Sequence, residues 1–325
     1  MPEPKPSLEQ ITEQLRQAEA AGDPWKEGIA LNNLGDYHKD QRETAKALGY
    51  FQKALDYFTA LDDAEKKATV LNNLGGTYAD AKQYPQALEQ FALALGVCGA
   101  LNQPFGQAMA LNNMGGVHLT LKAYEEARKQ FILSASFFRS AKAPAWEGQA
   151  LENLAAAEAG SGNNKAAVES YGRALQIWQK LEQIDRQGLL LNRIATLHAS
   201  LGETGRAAEL HSRAIALAQK AKNIPLEATA HGSLGRVHFD SRSWAAARLE
   251  FEHALRLFKE CGDKRGQAIT LASLGRLDMS TGQELLRSAA ELFRQIGDTS
   301  GERAALDMLP VLEEDESLKA KVKPA

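Results

Sequence analysis

Leu31-Asn32-Asn33-Leu34-Gly35 decides how this chain folds. It returns as Leu71-Asn72-Asn73-Leu74-Gly75 and, with one change, as Leu111-Asn112-Asn113-Met114-Gly115. Weaker copies begin at Leu151, Leu191, His231 and Leu271, each 40 residues after the last. A fixed interval of that size is the signature of stacked structural units rather than of one globular core. Around each copy, apolar residues recur at spacings of three and four, first Ala30, Leu31, Leu34 and Tyr37, then Ala47, Leu48, Phe51, Ala54, Leu55 and Phe58. Each run gives one apolar helix face. The polar break Asp40-Gln41-Arg42 between them predicts an αα-hairpin, which cannot bury its apolar face alone.

The later units superpose on the first. Small residues stand at Ala47, Ala87, Ala127, Ala167, Ala207 and Ala247, and rings at Phe51, Phe91, Phe131, Tyr171, His211 and Phe251. Small residues return at Ala54, Ala94, Ser134, Ala174, Ala214 and Ala254. Gly35, Gly75, Gly115, Gly235 and Gly275 fall in mid-helix, where glycine costs about 1 kcal/mol. A cost repeated in register implies a repeated packing reason, and close helix crossing is the one expected. Units four and five carry Ala155 and Ala195 instead.

This pattern resembles the tetratricopeptide repeat, over residues 24–298. The 40-residue length and the Asn-Leu-Gly core resemble its longer-repeat branch, which includes LGN/Pins, kinesin light chains and Rap-type regulators. The resemblance implies an all-α, right-handed superhelix of seven hairpins with capping helices. The expected organisation is a tail and capping helix over 1–22, seven repeats over 23–298, a C-terminal cap over 299–312 and a disordered charged tail over 313–325. The seventh unit is 35 residues long, and the shortening is expected near Ser280-Thr281-Gly282, between its two helices.

Composition restricts function. Net charge is −3, which argues against nucleic acid as a partner. No run of 18 apolar residues predicts a membrane span. Cys98 and Cys261 lie four repeats apart on predicted apolar helix positions, so they are expected as free thiols. With no apolar stretch after the N-terminal charges, this points to a reduced, cytoplasmic setting.

No residue set suggests a catalyst. His38, His118, His198 and His238 share one repeat position. Neighbouring equivalents stand about 10 Å apart, too far to share a metal that needs ligands within about 2.1 Å. Packing or hydrogen bonding is expected of them, and neither metal nor cofactor. Gly160-Ser161-Gly162-Asn163-Asn164-Lys165 lacks the Gly-Lys-Ser/Thr ending of a phosphate loop and reads as a turn.

The second residue of each Asn pair gives Asn33, Asn73, Asn113 and Asn153, followed in later repeats by Arg193, Ser233 and Ser273. In the proteins this chain resembles, leading helices line the concave surface, and long-repeat relatives use Asn ladders to hold extended peptides. An amide both donates and accepts, so it can pair with a peptide backbone; equally, it can bond across neighbouring repeats. Arg193, Arg236 and Arg276 suit acidic groups through forked hydrogen bonds, or pairing with Asp240 and Asp278. The chaperone-type carboxylate clamp is not visible, because its Lys position holds Asn32, Asn72 or Asn112.

The leading expectation is a non-enzymatic adaptor. Its concave groove would hold an extended peptide or partner helix through Asn33, Asn73, Asn113, Asn153, Arg193, Arg236 and Arg276, an acidic segment suiting the arginines. The alternatives are a Rap-like, peptide-responsive sensor and a self-assembling scaffold. Rap-type regulators carry an extra N-terminal effector domain, where one short helix is expected here. Partner identity and oligomeric state are not legible.

Overall fold

A computed structural model describes residues 6–277 and 281–309. Its described residues form sixteen helices and no strand. They are α1 Leu8–Ala21, α2 Pro24–Asp40, α3 Thr44–Ala60, α4 Ala64–Asp80, α5 Tyr84–Ala100, α6 Pro104–Thr120, α7 Tyr124–Ser140 and α8 Pro144–Gly160. Then come α9 Asn164–Lys180, α10 Ile184–Ser200, α11 Thr204–Ala221, α12 Ile224–Asp240, α13 Trp244–Glu260, α14 Lys264–Gly275, α15 Gly282–Gln295 and α16 Thr299–Leu306. The expected all-α fold of tetratricopeptide hairpins is the observed one. The chain divides into two compact units between Asn163 and Asn164.

Local chemistry sets the helix ends. Asp23, Asp63, Asn223, Asp263 and Asp298 cap leading helices, each side chain accepting a backbone N–H of the first turn. Pro24, Pro104 and Pro144 open three of them, where a missing N–H costs nothing. From α1 to α13 each helix closes on a residue at positive φ, recurring every 20 residues from Gly22 and Arg42 through Arg242 and Gly262. At the first such turn, Arg42 N–H donates to the Lys39 carbonyl at 2.9 Å and Glu43 N–H to that of His38 at 2.9 Å, satisfying the last orphan carbonyls. A 20-residue half-period therefore underlies the 40-residue one. Gly160 to Lys165 spans such a turn, with Gly162 at φ 84°.

The mid-helix glycines have a specific cause. A Cβ on Gly35 would lie 2.5 Å from the Phe51 ring; on Gly75, 2.6 Å from Phe91; on Gly115 and Gly235, 2.7 Å from Phe131 and Phe251. The ring of the trailing helix occupies the place where a side chain would stand, so ring insertion sets the crossing. Phe51 and Phe131 are wholly buried, as are Ala47, Ala54 and Ala127 beside them. Repeat five pairs Ala195 with the smaller ring of His211.

Two expectations need correcting. The shortening in repeat seven falls at the end of the leading helix: α14 has 12 residues where α12 has 17. Leu286, Ala289 and Phe293 then resume the buried pattern five residues early. Cys261 lies in the turn after α13 rather than on a helix, half-buried; Cys98 is buried in α5, and both thiols are free. The tail expected over 313–325 lies outside the described residues.

Candidate functional site

In the first unit the leading helices α2, α4, α6 and α8 touch their nearest leading neighbours as well as their own hairpin partners. The Asn pairs stand along that seam. Asn73 Nδ2 donates to Asn32 Oδ1 at 3.0 Å, and Asn153 Nδ2 donates to Asn112 Oδ1 at 3.0 Å. These bonds join repeats one to two and three to four. Asn153 Oδ1 also accepts from Gln149 Nε2 at 3.3 Å, so both ends of that amide are engaged.

The amides also face open space. A cleft of about 480 Å³ is lined by Asn72, Asn73, Asn112, Asn113 and Asn153, with Lys39 and Asp80 at 3.5 Å from each other on its wall. A second cleft, of about 630 Å³, shares Asn72, Asn73 and Met109 with the first and runs past Phe105 and Glu65. Asn33 lies in a separate hollow of about 460 Å³ with Ile11, Asp36 and Tyr37.

Apolar residues that sequence reasoning missed flank the second cleft. Phe105 is 41% exposed and Trp146 45%. The Phe105 ring packs edge-on against Phe138 and Trp146, at centroid distances of 5.4 and 5.7 Å. Both exposed rings sit near the starts of leading helices, just after the turn, outside the 40-residue signature. Their available signal was a bulky ring on an otherwise polar edge.

The second unit is built differently. Arg236 lines a cleft of about 370 Å³ with Ser233, Ser273, Thr229 and Arg265. Arg265 approaches Asp298 at 3.7 Å; Arg236 has no ion pair with Asp240. Asp278 lies outside the described residues. The other two arginines turn onto rings: the guanidinium of Arg193 stands 5.8 Å from the Tyr171 centroid, and that of Arg276 4.6 Å from Phe239. Of the three, Arg236 alone borders this cleft. Asn192, first of its pair, is buried and accepts from His211 Nδ1–H at 2.7 Å. Burial, and then the charge of Arg236, push the His211 pKa down to about 4.

Two of the four column histidines serve the turns. His38 Nδ1 meets Glu43 Oε2 at 2.5 Å, and His198 meets Glu203 at the same distance, each pair spanning the end of a leading helix and the start of its partner. The His38 ring also stacks on Tyr50.

Stacked αα-hairpins with amide-bearing leading helices define a class, and sequence comparison names it. The tetratricopeptide repeat profile matches residues 26–99 and 106–180. Over these residues the chain carries tetratricopeptide repeats, and its later helices continue the same hairpin order. No curated protein sequence matches it. Among solved structures it resembles Aspartyl phosphate phosphatase F from Bacillus subtilis, with a TM-score of 0.63 and 18% identity over 95% of this chain and 76% of that one. A Rap protein complexed with Competence and Sporulation Factor gives 0.54 and 15%, over 94% and 80%. A putative kinesin light chain from Podospora anserina, with nearly identical TPR-like repeats, gives 0.52 and 14%, over 61% and 97%. At these identities the likeness is one of fold. Among the described residues, no helix is long and apolar enough to cross a membrane.

Proposed function

We propose that this chain is a non-enzymatic adaptor of the cytoplasm that binds extended peptide segments of protein partners on its leading helices. The observation that carries the reading is the cleft of the first unit, where amides from three successive leading helices border one open space. Amides on a fixed repeat suit a ligand whose donors and acceptors also repeat, which is what a peptide backbone offers. In the second unit Arg236, which makes no ion pair with any described residue, suits an acidic group on such a partner. A random-sequence peptide array probed with the full chain tests this. Discrete peptides should bind with micromolar affinity, and the Asn113→Ala/Arg236→Ala double variant should lose them while keeping its helical circular dichroism. An unchanged binding pattern refutes the site.

A peptide-responsive sensor is the second reading. It draws on the likeness to the Rap protein complexed with Competence and Sporulation Factor, which extends over 94% of this chain. Small-angle scattering with and without an array-selected peptide separates the two. A sensor changes its overall dimensions on binding, and an adaptor keeps them.

A further inference from the structure

The cleft of the second unit offers positive charge that its own walls leave unmatched. Arg236 of α12 and Arg265 of α14 both line it, against one carboxylate, that of Asp263. Arg236 makes no ion pair with any described residue. Arg265 reaches Asp298 only at 3.7 Å, with its side chain still 71% exposed. The hydroxyls between them are spent: Thr229, Thr270 and Ser273 donate to the carbonyls of Pro225, Gly266 and Ile269 at 2.7–2.9 Å. Asp263 accepts the Gly266 N–H at 2.9 Å as a helix cap. Two guanidinium groups are therefore what this cleft presents to an anion, and Ile269, 51% exposed, adds an apolar patch beside them.

We propose that the chain's own acidic run, Glu313-Glu314-Asp315-Glu316, seats in this cleft and that an acidic partner segment must displace it. The inference rests on the reading of Arg236 as a receiver of acidic groups and adds a resident competitor to it. The run is the longest stretch of like charge in the sequence. It begins four residues beyond the last described one. Its flanks match the apolar feature of the cleft, because Val311 and Leu312 precede it and Leu318 follows it. Any of these can cover Ile269. Adjacent carboxylates repel one another, and forked hydrogen bonds from two guanidinium groups relieve that repulsion.

The distances allow it. Asp298, which meets Arg265, is the N-cap of α16, so that helix starts at the wall of the cleft. Its eight residues carry the chain about 12 Å away. Residues 307–309 add at most about 10 Å. An extended return from Leu309 covers up to about 13 Å at Glu313 and about 23 Å at Glu316. The run therefore spans the way back to Arg265, and Arg236 lies across the same cleft. A tether this short holds the run at a roughly millimolar effective concentration. A segment that binds at only about 0.1 mM on its own would then weaken a competitor about tenfold.

The test titrates a fluorescein-labelled peptide of residues 310–318 against the full chain and follows its anisotropy. Two hosts are compared: the parent, and a full chain whose run is neutralised by Glu313→Gln, Glu314→Gln, Asp315→Asn and Glu316→Gln. The neutralised chain should bind the peptide about tenfold more tightly than the parent. Adding Arg236→Ala should abolish that binding, whereas Arg213→Ala, on the trailing helix α11, should leave it within about twofold. Arg236→Gln, which keeps a polar stem without the charge, repeats the measurement should the alanine variant lose helicity. Equal binding by parent and neutralised chains, lost in Arg236→Ala, overturns the resident seat while the acidic-group reading of Arg236 survives. Binding indifferent to Arg236, or none by either host, overturns both. A parent mass that rises with concentration in sedimentation, and no longer does so on neutralisation, places the run on a second copy and overturns the seat within one chain.

Discussion

The leading helices of the two units present different floors. In the first, paired asparagines bond from repeat to repeat and border a shared cleft. In the second, Asn192 is turned inward to the imidazole of His211, and arginine stands where asparagine stood. One difference lies in the ring slot of repeat five. Phe51, Phe91 and Phe131 need no hydrogen bond, so the Asn pairs beside them are free to make rungs. A buried imidazole requires an acceptor, and the nearest amide supplies it. Asn192 is taken up by that imidazole, and the next repeat carries Ser233 where a partner Asn would stand, so no Asn–Asn rung leaves this repeat.

The largest expected effect tests the ring slots directly. Phe131→Ala leaves Gly115 facing a void and should cost about 3–5 kcal/mol, read as a lowered urea midpoint. Next comes acid sensitivity. His211 titrates near 4 in the folded chain against about 6.5 unfolded, so the unfolded chain binds the extra proton first. Its contribution is complete above pH 6.5 and is lost as pH falls toward 4, a change on the order of 3 kcal/mol. Equilibrium unfolding across that window should show it, and His211→Gln should flatten the curve; an unaltered curve would show that the second unit's ring slot is not titrating.

Smaller effects sharpen the contrast between the amides. Asn153→Ala removes a rung with both ends engaged and should destabilise the chain by about 1 kcal/mol. Asn113→Ala removes none and should stay within about 0.5 kcal/mol of the parent. Equal losses in the two would mean that Asn113 also bonds to a neighbouring repeat in solution. Smallest are the turns. Asp62 sits at φ 54°, so Asp62→Gly should stabilise by up to about 1 kcal/mol, whereas Gly202→Ala, at φ 81°, should destabilise by a similar amount.

The hairpins, their boundaries and the residues facing the core were legible because 40-residue spacing acts on backbone and burial alike. Phe51 and Ala54 repeat because every interface repeats. The glycine column was legible as a packing need, though its cause, a ring standing where a side chain would stand, was not. The arginines read as lining one groove, but in the fold Arg193 and Arg276 lie over rings. Which rings stand within reach depends on neighbouring helices, not on spacing within one.

What the amino-acid order determined by itself was the repeat: its period, its αα-hairpins and the column on which the asparagines stand. Those follow from local propensity and from apolar periodicity, which any one unit already contains. Only the tertiary structure decided which amides spend their hydrogen bonds on a neighbour and which remain for something else. Asn73 and Asn113 occupy equivalent places in equivalent sequences, yet one is tied and the other open. A side-chain amide has several staggered choices of nearly equal energy, and only the atoms packed around it in the folded chain select among them.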